Sequence, residues 1–236
     1  MVKPNNSDIL SIAIDGPAGA GKSTVARILA KELGIAYLDT GAMYRALAWL
    51  ALELGVDLTD ETELAMLQQR DLLRVVVTDE GSRIFYEGSD ITPMLHSAEV
   101  GQNASRVSAF AKVRHLIVAW QQQFAASRDA VLDGRDIGTV VLPEAKIKLF
   151  ISASPSVRAK RRYDELESRG ILGSFTSAEI EAEIIERDER DINREHSPLR
   201  QAEDAVFLDS SELSIAEVVA KALGLIEERG FGRRRE

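Results

Sequence analysis

The chemistry of the chain concentrates first in one run of residues. Gly16-Pro17-Ala18-Gly19-Ala20-Gly21-Lys22-Ser23 fits the spacing G-x-x-x-x-G-K-[ST]. Glycines placed this way let the backbone curl until successive N–H groups face a common point, a cradle for phosphate oxygens. Lys22 adds a mobile ammonium for the β- and γ-phosphates of a nucleoside triphosphate, and the Ser23 hydroxyl is placed to hold Mg²⁺. With Thr24, the whole run from Gly16 onward is the expected triphosphate contact.

Such a loop works only if a strand delivers it and a helix follows it. The apolar residues Ile9, Leu10, Ile12, Ala13 and Ile14 read as a buried strand that ends at Asp15-Gly16. Apolar residues at 25, 28, 29 and 33 then follow a helical period. Strand, glycine-rich loop and helix together predict a P-loop, with the helix N-terminus adding partial positive charge at the phosphates. An ordinary glycine-rich turn before a helix would need neither the lysine nor the hydroxyl. Kinases, GTPase switches, ATPases and motors all use this loop. The guanine-reading pattern N-K-x-D is missing from the sequence, which argues against a GTPase. Asp133 ends the hydrophobic strand Ala130-Val131-Leu132-Asp133-Gly134, where an acid can organise Mg²⁺ through water. A plain strand-ending aspartate in a turn has the same appearance.

Arginines form the second concentration. Arg158, Arg161 and Arg162 lie three or four apart in RAKRR, on a helix predicted at 156–168. Arg187, Asp191 and Arg194 fall at i, i+4 and i+7 on a helix at 177–194, with Arg190 between them. A solvated face held by i,i+4 pairs would look similar. Flanking Gly170-Ile171-Leu172-Gly173-Ser174 in a P-loop protein, these helices instead suggest a lid over about 156–194. Phosphoryl transfer to a phosphate acceptor gathers several negative oxygens, which calls for guanidiniums and for closure against water.

The rest of the chain supplies the frame. Its 236 residues are 45% hydrophobic and 28% charged, an ordinary soluble balance. A net charge of −9 argues against a nucleic-acid polymer or an anionic membrane as partner, where a basic face is usual. There is no cysteine, and His96, His115 and His196 are not spaced as a ligand set. No run approaches a membrane span, and the N-terminus lacks a signal-type apolar segment, so a cytoplasmic location is the simplest expectation. Residues 1–8 and 228–236 read as disordered tails.

Taken in order, Ile35–Leu38 reads as a second strand and 41–54 as a helix. Leu72–Thr78 and Arg83–Glu87 read as a hairpin about Asp79-Glu80-Gly81-Ser82, ended by Gly88. Helices follow at about 97–108 and 110–127. A hairpin interrupts a parallel βαβ series, so 58–127 reads as an inserted subdomain and 9–57 with 128–227 as the core. Further strands at 146–151 and 205–209 and a closing helix at 214–227 complete an α/β fold. Its expected centre is a parallel five-stranded sheet flanked by helices.

Three segments carry a resemblance to a known family. Leu38-Asp39-Thr40-Gly41-Ala42-Met43-Tyr44-Arg45, Asp133-Gly134-Arg135-Asp136-Ile137-Gly138-Thr139-Val140-Val141 and Glu186-Arg187-Asp188-Glu189-Arg190-Asp191-Ile192-Asn193-Arg194 together resemble bacterial cytidylate kinases. The likeness runs from about residue 9 to 226. It implies a P-loop nucleoside monophosphate kinase fold with a monophosphate-binding insert and a short lid. It also implies transfer of the γ-phosphoryl of Mg²⁺-ATP to CMP or dCMP in pyrimidine nucleotide metabolism. In that family pattern Arg45, Arg135 and Arg194 match the acceptor-phosphate arginines, and Thr40 and Tyr44 match the same pocket. Ser105, Arg114 and Asp136 match the cytosine readers, and Arg187 and Asp191 the groups on the sugar hydroxyls. Arg158 and Arg162 look like lid arginines that reach the transferring group. The implied catalytic set is therefore Lys22, Arg135, Arg158, Arg162 and Arg194, with Ser23 and Asp133 toward the metal. Chemistry agrees with the base readers: a carboxylate accepts from the N4 amino group while Arg114 donates to N3 or O2. A P-loop kinase of another small acceptor, such as UMP or shikimate, is the alternative, and a nucleotide-dependent switch is a further one. Small molecules are the expected partners, and a monomer the expected state.

Overall fold

The computed structural model describes residues 9–78, 81–170 and 172–231. The expected tails at 1–8 and 232–236, and Asp79-Glu80 of the hairpin turn, lie outside the described residues. Five strands form the central sheet: β1 (Ser11–Asp15), β2 (Ala36–Asp39), β6 (Ala130–Gly134), β7 (Ile147–Ser152) and β8 (Val206–Asp209). Their order is β2-β6-β1-β7-β8 and every pairing is parallel. β1 and β6 are nearly continuous apolar runs because both of their faces are covered. One face packs on α1 (Lys22–Leu33) and α8 (Ile215–Glu228), through residues such as Leu29, Val218 and Ile226. The other face meets α5 (Ala111–Ala125) at Phe124 and Ala125.

Register decides where the chemistry collects. Asp133 of β6 is level with Asp39 of β2 and Ile14 of β1, so Asp15, Asp39 and Asp133 lie at or next to the ends of three neighbouring strands, at one edge. Ligands of open α/β sheets bind outside this carboxyl edge.

α2 (Thr40–Glu53) leaves that edge and carries the helices and the small sheet of residues 61–125. Met43 and Leu47 pack with Leu64 of α3 (Glu61–Gln69), Val107 of α4 (Ala98–Val107) and Ile117 of α5. Ala42 and Ala46 pack with Ile84, Ile91 and Leu95. The two predicted strands are β3 (Leu73–Thr78) and β4 (Gly81–Tyr86), but Gly88 does not end the pairing. Glu87 (φ 49°) and Gly88 (φ 83°) both adopt left-handed backbone, the requirement of a two-residue hairpin turn. The chain therefore returns as a third strand, β5 (Ser89–Asp90), paired with Phe85 and Tyr86. Two exposed polar residues carry no alternation to predict.

α6 (Pro155–Ser168) and α7 (Ser177–Asn193) pack together through Ala159, Ile180 and Ile184. A reciprocal Thr176–Glu179 capping box starts α7. At the C-terminus α8 runs through Glu228, and Phe231 N–H still bonds to Ile226 O at 3.0 Å, so ordered chain extends past the expected limit of 227.

Candidate active site

The glycine-rich loop is shaped by direct sterics. Gly16 has φ 144°, and a Cβ there would lie 1.9 Å from the carbonyl oxygen of Ile151 on β7. Gly21 (φ 88°) precedes α1 and no side chain caps the first helical turn, so its N–H groups have no internal competitor for a phosphate. Lys22 is buried and its Nζ donates to Pro17 O at 2.7 Å across the loop. Burial, with Arg135 nearby, pulls its pKa down to about 7.

Asp133 is the hub beneath the loop. Its Oδ2 accepts from Ser23 Oγ at 2.7 Å and its Oδ1 from the Tyr37 hydroxyl at 2.9 Å. The Thr40 hydroxyl donates to the Asp133 carbonyl at 2.7 Å. Burial, reinforced by Asp39, pushes the carboxyl up to about 6. A buried carboxylate touching a hydroxyl at a P-loop offers the hard oxygen donors that Mg²⁺ takes. Among the described residues no group of three or more His, Asp or Glu is gathered as a cation cage. The side-chain oxygens gathered beneath the loop are those of Ser23 and Asp133.

Beyond Asp133 the chain continues into the expected acceptor residues. Arg135 Nε pairs with Asp191 Oδ2 at 2.9 Å. Burial alone would raise Asp191, but Arg135 and Arg187 hold it below the usual carboxylate range. Asp136 is buried between Arg114, which ion-pairs with its Oδ2, and Arg194 Nη2 at 3.5 Å from its Oδ1. Arg114 also donates to Ser108 O at 3.1 Å and its guanidinium lies 5.5 Å from the Tyr44 ring centre. Arg194 Nε is fixed on Ser197 O at 2.6 Å, and Arg45 pairs with Asp39 at 2.7 Å. Ser105 sits in the same wall and receives a hydrogen bond from Arg190 at 3.1 Å.

Among the described residues several polar atoms here are buried without a hydrogen-bond partner: Tyr44 OH and the Nε atoms of Arg45, Arg114 and Arg187. Unpaired buried donors are costly, and a cluster of them on cations fits a site that receives anionic oxygens. Burial and the charge of Arg135 bring Arg187 down to about 10.

The two expected lid arginines part company. Arg158 is buried, with Nε on Ala153 O at 2.8 Å and Nη1 on Ala18 O of the loop at 3.0 Å. Arg162 instead pairs with Glu165 at 2.8 Å along the half-exposed side of α6 and is not brought to the loop. Arg161 is turned inward in its place. It donates to the Ser210 carbonyl at 2.6 Å, and the Ser210 hydroxyl reaches Ala20 O at 3.3 Å.

Sequence reasoning missed Asp15, Tyr37, Asp39, Asp188 and Ser210. Asp15 clamps the N–H groups of Ile137 and Gly138, each at 2.7 Å, and so fixes the backbone beyond Asp136. Burial raises its pKa to about 6. Asp39 had a local signal, since it caps α2 by accepting from Ala42 N at 3.0 Å. Asp188 stands three before Asp191 on the face already singled out, whereas Tyr37 and Ser210 carried no signal.

Comparison with known proteins agrees with this geometry. The family model described as cytidylate kinase matches residues 12–228. The cytidylate kinase of Carboxydothermus hydrogenoformans is 48% identical over 217 residues, covering 92% of this chain and 97% of that protein. Cytidylate kinase 1 of Haemophilus influenzae is 47% identical over 223 residues, 94% of this chain and 96% of that one. The cytidylate kinase of Bacillus subtilis is 46% identical over 220 residues, with 93% and 97% covered. The chain, over nearly its whole length, belongs to the cytidylate kinase family.

Proposed function

We propose that the protein transfers the γ-phosphoryl group of ATP to CMP or dCMP, giving CDP or dCDP and ADP. One observation carries the reading. Asp133, near the end of β6, is bonded to Ser23 of the P-loop, and Asp136, three residues later and just past that strand, is bonded to Arg114 and Arg194. A donor triphosphate and an acceptor monophosphate are thereby brought to one edge of the sheet.

In this reading the loop amides and Lys22 hold the β- and γ-phosphates, while Arg158 braces the loop from behind. Arg45, Arg135 and Arg194 hold the acceptor phosphate within Thr40 and Tyr44, and Arg187 and Asp191 hold the sugar hydroxyls. Asp136 accepts from the N4 amino group of cytosine, with Arg114 donating to N3 or O2 and Ser105 alongside. Uracil would set its O4 acceptor against the Asp136 carboxylate, which disfavours UMP. No general base is needed, because the attacking phosphate oxygen is unprotonated near neutrality. Catalysis is alignment and charge neutralisation by Lys22 and the arginines. When bound at Ser23 and Asp133, Mg²⁺ adds neutralisation of the triphosphate charge. Arg162 enters this scheme only if α6 rotates on closure, since it now faces Glu165.

We further propose a core of 9–57 and 128–227, a monophosphate-binding insert over 58–127 and a lid over about 156–194. A monomer acting in the cytoplasm completes the reading; no described helix is long and apolar enough to cross a membrane. The test is ADP release from Mg²⁺-ATP with CMP, dCMP, UMP, AMP or shikimate as acceptor. Turnover mainly with CMP and dCMP is expected; turnover with UMP or shikimate alone would reject the acceptor assignment.

A further inference from the structure

Arg190 has no part in the reading above, yet it makes a single hydrogen bond that crosses from α7 to α4. Its Nη1 donates to Ser105 Oγ at 3.1 Å, while its Nη2 is held by Glu186, one turn earlier, at 2.7 Å. Ser105 is buried and belongs to the base-reading wall. The Ser108 hydroxyl donates to the Ser105 carbonyl at 2.9 Å, and the Ser108 carbonyl accepts from Arg114. Among the described residues no oxygen receives the Ser105 hydroxyl proton.

A hydroxyl carries one proton and two lone pairs, and the proton rotates to suit its partners. A guanidinium is donor only, so a proton directed at it would meet a cation. Arg190 therefore occupies a lone pair of Ser105 and turns the Ser105 proton away from α7. We propose that Arg190 is a positioning residue for base selectivity, which makes Ser105 a donor to an acceptor atom on the pyrimidine edge. Cytosine offers N3 and O2 as acceptors. Uracil carries a proton at N3, which opposes a fixed donor there. The next residue, Asp191, pairs with Arg135, so one turn of α7 bears on the sugar side and the base side together.

The inference rests on the CMP reading above and needs a test that keeps the two apart. CMP and UMP binding to the full chain is measured by titration calorimetry without ATP, for the wild type, Arg190→Ala, Ser105→Ala and the double variant. Arg190 is 33% exposed at its side chain, so its truncation opens no sealed cavity. Arg190→Ala should weaken CMP roughly fivefold to tenfold and UMP less than about twofold, the scale of one lost hydrogen bond. In the Ser105→Ala background the same change should have no further effect on the CMP-to-UMP ratio, because the pathway through the hydroxyl is gone. Independent, multiplying effects of the two substitutions, or an unchanged ratio in Arg190→Ala, would overturn the proposal. A wild-type protein that binds UMP as well as CMP overturns both readings before any substitution is made, which distinguishes that failure from the first.

Discussion

Arg158 Nη1 lies 2.6 Å from Asp188 Oδ2, an ion pair that joins α6 to α7 directly behind the P-loop. Both side chains are largely removed from water, at 4% and 12% exposure. The same guanidinium holds the Ala18 and Ala153 carbonyls, so one side chain ties two helices and the phosphate loop together. Among the described residues Asp188 Oδ1 is buried with no hydrogen-bond partner, so Arg158 is its direct ion-pair partner while Arg135 and Arg187 act on it through their charge.

Removing Arg158 should therefore cost more than removing Asp188. Arg158→Ala removes the direct ion-pair partner of a buried carboxylate and the donor to two carbonyls, and should lower unfolding free energy by about 3 kcal/mol. Asp188→Asn leaves the guanidinium its two carbonyl acceptors and should cost about half as much. Urea unfolding of both variants checks the order. A reversed order would mean that the carbonyl bonds contribute nothing.

Lys22 predicts a proton signature for nucleotide binding. Its ligand-free pKa is held near 7, against an ordinary 10.5, by burial and by Arg135. Phosphates beside the ammonium restore its charge and raise that pKa. Between these values the complex binds a proton that the free protein does not. Affinity for Mg²⁺-free ATP should then be greatest below pH 7 and fall as pH rises through it, by up to roughly tenfold per unit. Calorimetry at pH 8 in two buffers of different ionisation enthalpy should record proton uptake, and Lys22→Met should abolish it. Zero exchange in the wild type would remove Lys22 as the group responsible.

What the sequence made legible follows from how local each feature is. Gly16 to Ser23 are contiguous in the chain, so their spacing alone predicts the loop, whereas the acid that Ser23 meets, Asp133, comes 110 positions later. Asp15 was invisible as a positioning residue because its partners, Ile137 and Gly138, come 122 and 123 positions later. The strand order β2-β6-β1-β7-β8 likewise depends on crossovers that no local pattern records. Arg161 and Arg162 differ by one position, about 100° around a helix. Which of them faces the loop depends on how α6 is seated, not on RAKRR itself. The proposed cytosine readers Arg114 and Asp136 come from different segments, and family likeness, not spacing, joined them.

Gly16→Ala tests the steric account of the loop. The added methyl would sit 1.9 Å from Ile151 O, a main-chain atom of a central strand that cannot turn aside as a side chain would. Either β7 shifts or the loop leaves its curled form. We expect ~3 kcal/mol or more of lost stability together with loss of ATP binding. Thermal unfolding and nucleotide titration check both, and a variant with wild-type melting would show that the strand yields easily.

Asp136→Asn tests base discrimination through the ratio of CMP to UMP turnover. Asp136 stands between Arg114 and Arg194, so the substitution removes a charge that both guanidiniums share. The amide keeps one oxygen for an arginine and can turn its NH₂ toward the O4 of uracil, which the carboxylate cannot do. For CMP, kcat/KM should fall on the order of a hundredfold, because two buried cations lose their counter-charge and N4 loses its anionic acceptor. For UMP the loss should be smaller, since one unfavourable contact is exchanged for a favourable one. The ratio of the two constants therefore narrows even as both decline. Equal declines would mean that Asp136 only holds the arginines, and full retention of selectivity would remove it from base readout altogether.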